Sequence, residues 1–165
     1  MVAATDETAR VWELIERIGF CMLATRDGED IRSRPMAAHA EPDENAVYFL
    51  TDADSAKDEE VEARPEVNLA FADAGSHSNV SVTGRAVVSN DREKIRELFS
   101  TPAKAWWDSP EDPSIRVLKV TPQDAEYWDG PGRVRAMIRM LAAAVSDRRP
   151  DMGDNAKVEM EGSGR

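Results

Sequence analysis

Cysteine is all but missing from this chain. With Cys21 alone, no internal disulfide can form and a cysteine-based zinc site is excluded. Cys21 sits in the apolar run Phe20-Cys21-Met22-Leu23, where its expected role is a small buried hydrophobe rather than a reactive thiol. Histidine is also scarce: His39 and His77 have no second His or carboxylate at metal-ligand spacing, so no metal site is expected. Cations are outnumbered, with 21 Lys and Arg against 32 Asp and Glu, for a formal net charge of −11. That acidity, with a pI of about 4.7, argues against nucleic-acid and anionic-membrane partners, which call for a cationic face. No apolar run approaches the roughly 20 residues of a membrane span. Met1-Val2-Ala3-Ala4-Thr5-Asp6-Glu7 lacks the basic region and apolar stretch of a secretory signal, so the expected location is cytoplasmic. No Ser–His–Asp order, glycine-rich phosphate loop, paired-carboxylate motif or internal repeat stands out.

What remains is an ordinary globular composition. The 165 residues, 41% hydrophobic and 32% charged, suffice for one domain with a sizeable core. Val11, Leu14, Ile15 and Ile18 share one face of a helix expected over 6–18, capped by Thr5 or Asp6 and ended by Gly19. Strand patterns follow at 20–25 and 31–39, separated by the hairpin signal Arg26-Asp27-Gly28-Glu29, and then at 46–51. A short helix is expected over 54–63, ahead of Pro65. Strands at 67–72 and 79–89 come next, with Gly84 marking a bend or a close backbone approach. Asp91 caps a helix running to Phe99, 115–120 is the last strand, and 133–145 is a final amphipathic helix. The pattern predicts a mainly β, α+β fold, a six-stranded antiparallel barrel with peripheral helices. One domain spans 1–146, and the Pro-, Gly- and charge-rich 147–165 reads as a loosely packed tail.

Against the acidic background, Arg32-Ser33-Arg34-Pro35-Met36 and Leu50-Thr51-Asp52-Ala53-Asp54-Ser55-Ala56-Lys57 gather cations and hydroxyls near two strand ends. Such groups suit a phosphate. Arg offers paired donors, Lys a point charge, and a helix beginning near Ser55 and Lys57 adds backbone N–H groups. Taken singly, each residue also has an ordinary explanation. Arg32 and Arg34 could be solvent-exposed strand residues, Lys57 a solvated helix residue, and Trp128 a core or interface aromatic. Trp106-Trp107, flanked by Pro102 and Pro110, is expected to pack a connector against the barrel or across a dimer rather than face a substrate.

The order of motifs narrows the choice. Arg34-Pro35-Met36, Phe49-Leu50-Thr51, Ser55-Ala56-Lys57, Asn79-Val80-Ser81-Val82-Thr83-Gly84-Arg85-Ala86 and Glu126-Tyr127-Trp128-Asp129-Gly130 together resemble the pyridoxamine 5′-phosphate oxidase-like flavoproteins. Within them the chain looks like the general stress protein 26 group, to whose ending Gly153-Asp154-Asn155-Ala156-Lys157-Val158 is also similar. The resemblance implies an FMN-binding split barrel and a homodimer with flavin at the subunit interface. It places Arg34 and the strand from Pro35 and Met36 to Ala38 along the flavin, and Thr51, beside Leu50, on the ring or ribityl chain. Ser55 and Lys57 would take the phosphate, with Asn79 and Trp128 near the ring and Arg32, Arg133 and Arg135 in the vicinity. FAD is an alternative occupant. The deazaflavin F420, with its longer acidic tail, is disfavoured by the low cation count. The resemblance implies an oxidoreductase of unknown small-molecule substrate, or else a non-catalytic flavin-sequestering protein. The vitamin B6 oxidase's substrate-recognising His-Asp pair has no match in Gly132-Arg133-Val134-Arg135-Ala136-Met137, so that specific activity is not expected.

Overall fold

A computed structural model describes residues 2–53, 55–100, 102–130 and 154–160. The helix expected over 133–145, with Arg133 and Arg135, lies outside them. Helix α1 (Val2–Ile18) begins before the capping position expected at Thr5 or Asp6. It buries Val11, Trp12, Leu14 and Ile15 against the sheet. Gly19, at φ +66, closes it through an N–H bond of 2.9 Å to the Ile15 carbonyl, a left-handed geometry that glycine adopts without a Cβ penalty.

Among the described residues, eight strands form one antiparallel sheet: β1 (Phe20–Asp27), β2 (Asp30–Ala37), β3 (His39–Glu41), β4 (Ala46–Asp52), β5 (Glu66–Asp73), β6 (Ser78–Ser89), β7 (Ile115–Asp129) and β8 (Asp154–Glu159). Helices α2 (Ala56–Ala63) and α3 (Arg92–Leu98) lie outside it. The hydrogen-bonded path runs β2-β1-β5-β6-β7-β4-β3, with β8 added beside β7. Its two ends, β2 and β3, are separated in the chain by Ala38 alone. A flat sheet could not meet that condition, so the sheet rolls into an open, split barrel.

The strand count of six is corrected to eight for two physical reasons. The run expected over 31–39 breaks at Ala38, whose N–H bonds the Gly19 carbonyl at 2.9 Å, and β3 leaves to pair with β4. Residues 154–160, within the tail expected to be loose, alternate outward Lys157 and Glu159 with buried Val158 and Met160, and pair with β7. The strand expected over 115–120 likewise continues to Asp129. It has β6 on one side throughout and, on the other, β4 for its first half and β8 for its second. A register shift at Thr83/Gly84 absorbs Gln123 at the changeover, and the Gln123 carbonyl is satisfied by the Met160 N–H at 2.7 Å.

Period-2 alternation sorts the faces. Leu23, Leu69, Val82, Ala125 and Val158 lie in one register row and are buried inside. The neighbouring row Pro35, Met22, Ala70, Ser81 and Glu126 points outward. Strand β4 is covered on both sides, with Val47 and Phe49 in the barrel core and Ala46 and Tyr48 against the Ile95 and Leu98 side of α3. Asp91 caps α3 by accepting the Lys94 N–H at 3.0 Å, as its position before an apolar helix face predicts. Cys21 is buried, and burial pushes its thiol up to about 12, consistent with an inert core residue.

Candidate functional site

A cleft of about 400 Å³ opens where the end of β2, the end of β4, the start of α2 and the connector after α3 meet. That size falls within the range of small-molecule and cofactor sites. Pro35, Met36 and Ala37 form one wall, and Leu50, Thr51 and Asp52 form the opposite one. Lys57 at the start of α2, Ser100, Pro102, Ala103, Trp106 and Trp107 of the connector, and Phe20 and His39 complete the lining. Pro35, Met36, Leu50, Thr51 and Lys57, all named from the sequence, are thus brought together.

The chain geometry behind the Lys57 end is local. Ser55 sits in extended backbone ahead of α2, and the first-turn N–H groups of that helix have no acceptor within it. Thr51 Oγ1 and Ser55 Oγ are 3.3 Å apart, and Ser55 donates to Asp58 Oδ1 at 2.8 Å. Thr51 is buried, so its hydroxyl is held where β4 meets the helix. Burial lowers the Lys57 ammonium from its ordinary value, with Arg34 adding to the effect and Asp58, Asp52 and Glu60 opposing it. Asp58, itself buried, is raised above the ordinary carboxylate value by desolvation.

The remaining residues named from the sequence, Ser55 included, do not line the cleft. Arg34 does not line the cleft; its guanidinium reaches Glu60 at 2.8 and 3.1 Å and Thr25 Oγ1 at 3.1 Å. Thr25 in turn donates to Glu60, which is only 7% exposed. Arg34 therefore ties β2 to α2 and holds the floor of the site. Arg32 is exposed and pairs with Asp27 at 2.6 Å. Asn79 and Trp128 face each other across β6 and β7, on the outward side of the sheet and away from the cleft lining.

Two lining features went unassigned from sequence. Trp107 packs against the buried cluster that includes Tyr48, Ile95 and Leu98 and donates its indole N–H to Asp52 Oδ1 at 2.9 Å, as packing of the connector against the barrel would have it. Trp106 lines the cleft while 80% exposed, so within one copy it does not pack against the barrel. The backbone turn at 102–105 rotates one indole into the structure and the next out of it. The double tryptophan between prolines was the visible signal. His39, also in the lining, is lowered by burial, against the pull of Glu41.

This arrangement of rolled sheet and cleft can be set beside known proteins. The model of the family described as pyridoxamine 5′-phosphate oxidase like matches residues 6–151. The chain belongs to this family. Among curated relatives, protein bli-3 of Neurospora crassa is 27% identical over 143 residues, 79% of this chain and 68% of that protein. A crystal structure assigned to general stress protein 26 of Jannaschia sp. CCS1 superposes with a TM-score of 0.81 at 29% identity. The match covers 94% of this chain and 99% of the other, so the resemblance to the general stress protein 26 group is borne out. The general stress FMN/FAD binding protein of Xanthomonas citri shares the fold at a TM-score of 0.67 and 24% identity, covering 76% of this chain and 89% of its own. The family is flavin-related. Among the described residues, no helix is long and apolar enough to cross a membrane.

Proposed function

We propose that this chain is an FMN-binding flavoprotein of the general stress protein 26 type, an oxidoreductase of a small-molecule substrate that works as a homodimer in the cytoplasm. The observation that carries the reading is the polarity of the cleft. Lys57 and the buried Thr51 hydroxyl line the cleft beside the start of α2, together with apolar strand residues and the aromatic connector, while Ser55, bonded to Thr51 and Asp58, lies behind the lining. A planar ring with one phosphomonoester fits such a cleft. Lys57 and the α2 N–H groups would meet the phosphate, Thr51 would bond the ribityl chain or ring edge, and the Pro35–Met36 backbone with Leu50 would flank the ring. FMN, when bound, would supply hydride transfer; the chain supplies binding and orientation. Arg34 serves through Glu60, keeping α2 at the correct distance from β2. The binding named for the Xanthomonas citri protein agrees with this reading, and FAD would use the same phosphate end. A longer acidic tail, as in F420, would meet Asp52 and Asp58 rather than further cations.

Asn79 and Trp128 motivate the homodimer. They cannot wall the cleft of their own chain, but they share an outward face with Met22 and Pro35, across which a second copy could present them. Titration of the purified chain with FMN, followed by flavin fluorescence, tests the cofactor. The chain should bind stoichiometrically, and Lys57→Ala should weaken affinity by about 10- to 100-fold, the loss of one charge-assisted contact of roughly 1.5–3 kcal/mol. Equal affinity in both proteins would refute the phosphate assignment.

A further inference from the structure

We infer, on the reading that Lys57 serves a flavin phosphate, that the Trp106 side of the cleft is a stacking subsite for a neutral, planar substrate of aromatic or quinonoid class. The connector that carries Trp106 is pinned. Ala103 N–H bonds the Ser100 carbonyl at 3.0 Å, and the N–H groups of Trp106 and Trp107 both reach the Ala103 carbonyl at 3.0 Å. Trp107, packed against the buried cluster of Tyr48, Ile95, Leu98 and Val117 and bonded to Asp52, anchors the same segment. The backbone that carries Trp106 is therefore fixed at the cleft, and its indole lines the cleft at 80% relative exposure. A large, oriented aromatic face with little to cover it is matched best by another flat ring.

Charge selects the class of that ring. Among the described residues the basic side chains lining the cleft are Lys57 and His39. His39 is kept below its ordinary value by burial, which leaves a neutral imidazole near neutral pH. With Lys57 engaged by phosphate, a second anion in the cleft would face Asp52 without a compensating cation. Phe20, Met36, Ala103 and Trp106 offer instead a surface suited to an uncharged, flat molecule.

Isothermal titration of the full chain, both as purified and loaded with FMN, tests this with two probes: menadione, planar and neutral, and pyridoxal 5′-phosphate, planar and anionic. Menadione should bind saturably, and on the flavin-loaded chain pyridoxal 5′-phosphate should bind at least about tenfold more weakly. Trp106→Ala should weaken menadione about tenfold, a larger loss than it causes in FMN affinity, and Trp106→Phe should keep most of the affinity. Equal menadione binding by the wild-type chain and Trp106→Ala, no saturable menadione binding, or tighter binding of pyridoxal 5′-phosphate overturns the subsite. Failure of the wild-type chain to bind FMN overturns the cofactor reading instead, and the menadione titrations of the flavin-free chain then still decide the role of Trp106.

Discussion

Asp58 is an acid held where solvent barely reaches it, 7% exposed at the start of α2. Its carboxylate accepts from Ser55 at 2.8 Å and lies near Lys57 and Arg116, yet desolvation prevails and raises its pKa from the ordinary 3.8. The sign follows from proton binding. A folded state that holds the Asp58 proton more tightly than the unfolded chain loses stability as pH rises through 3.8 toward the raised value. Asp58→Asn keeps an acceptor for Ser55 and removes the charge. Its stability advantage over the wild-type chain, read from urea midpoints, should be absent well below pH 3.8, grow through the carboxylate range and stay constant above it. An advantage independent of pH would mean that Asp58 is ionised at no cost. Sequence could show that acids crowd Lys57, but not which of them is buried. Asp58, Glu59 and Glu60 read alike as a solvated run, while the fold turns Asp58 and Glu60 inward and leaves Glu59 out. Arg34 escaped for the same reason, because its partner Glu60 comes from an element remote in sequence.

Strands with one alternating pattern and ordinary turns were legible. The β1–β2 hairpin closes at Gly28, φ +62, and β5 and β6 fall within a residue of where alternation places them. Gly84 was legible as a close approach, since a Cβ there would lie 2.6 Å from the Thr121 carbonyl oxygen and 2.9 Å from Val120 Cγ1. Strand β7 was not legible past Val120, because Thr121-Pro122-Gln123-Asp124 carries every local sign of a strand end. The bulge reconciles the two: Pro122 needs no ladder donor there, Gly84 opposite it makes room, and Met160 takes the Gln123 carbonyl. Gly84→Ala must push β6 from β7 at the point where β7 changes partners. It should lower stability by about 1–3 kcal/mol in urea denaturation. FMN affinity at the cleft, which neither Gly84 nor the bulge lines, should stay unchanged. An unaltered urea midpoint would mean that the bulge relaxes at no cost.

In the whole molecule, the sheet order decides what one copy can do. From β2 to β7 the path crosses four strand spacings of about 4.8 Å, which separates the Pro35 wall from Trp128 by roughly 19 Å along the sheet. Between them lies an outward surface of small and apolar side chains, Met22, Ala70 and Ser81 in one register row, with Phe20 57% and Trp128 39% exposed beside it. Charges are sparse in that middle, unlike the rest of an acidic protein at −11, and such a strip favours a flat isologous contact. Sequence alone listed Asn79 and Trp128 with the cleft residues because they share a ligand in the family resemblance. The register places them on the same face but out of reach, which a two-fold partner would resolve. Sedimentation should therefore give a mass of two 18.3 kDa chains. Ala70→Glu, exposed in a single copy, should leave circular dichroism unchanged, shift the mass to one chain, and weaken FMN by at least about tenfold as the second half of each site is lost. Lys57→Ala should lose FMN while remaining a dimer, which separates the phosphate end from the interface. A wild-type chain that sediments as a monomer and still binds FMN would show that the cleft of one copy suffices, and Asn79 and Trp128 would then have no part in holding the flavin.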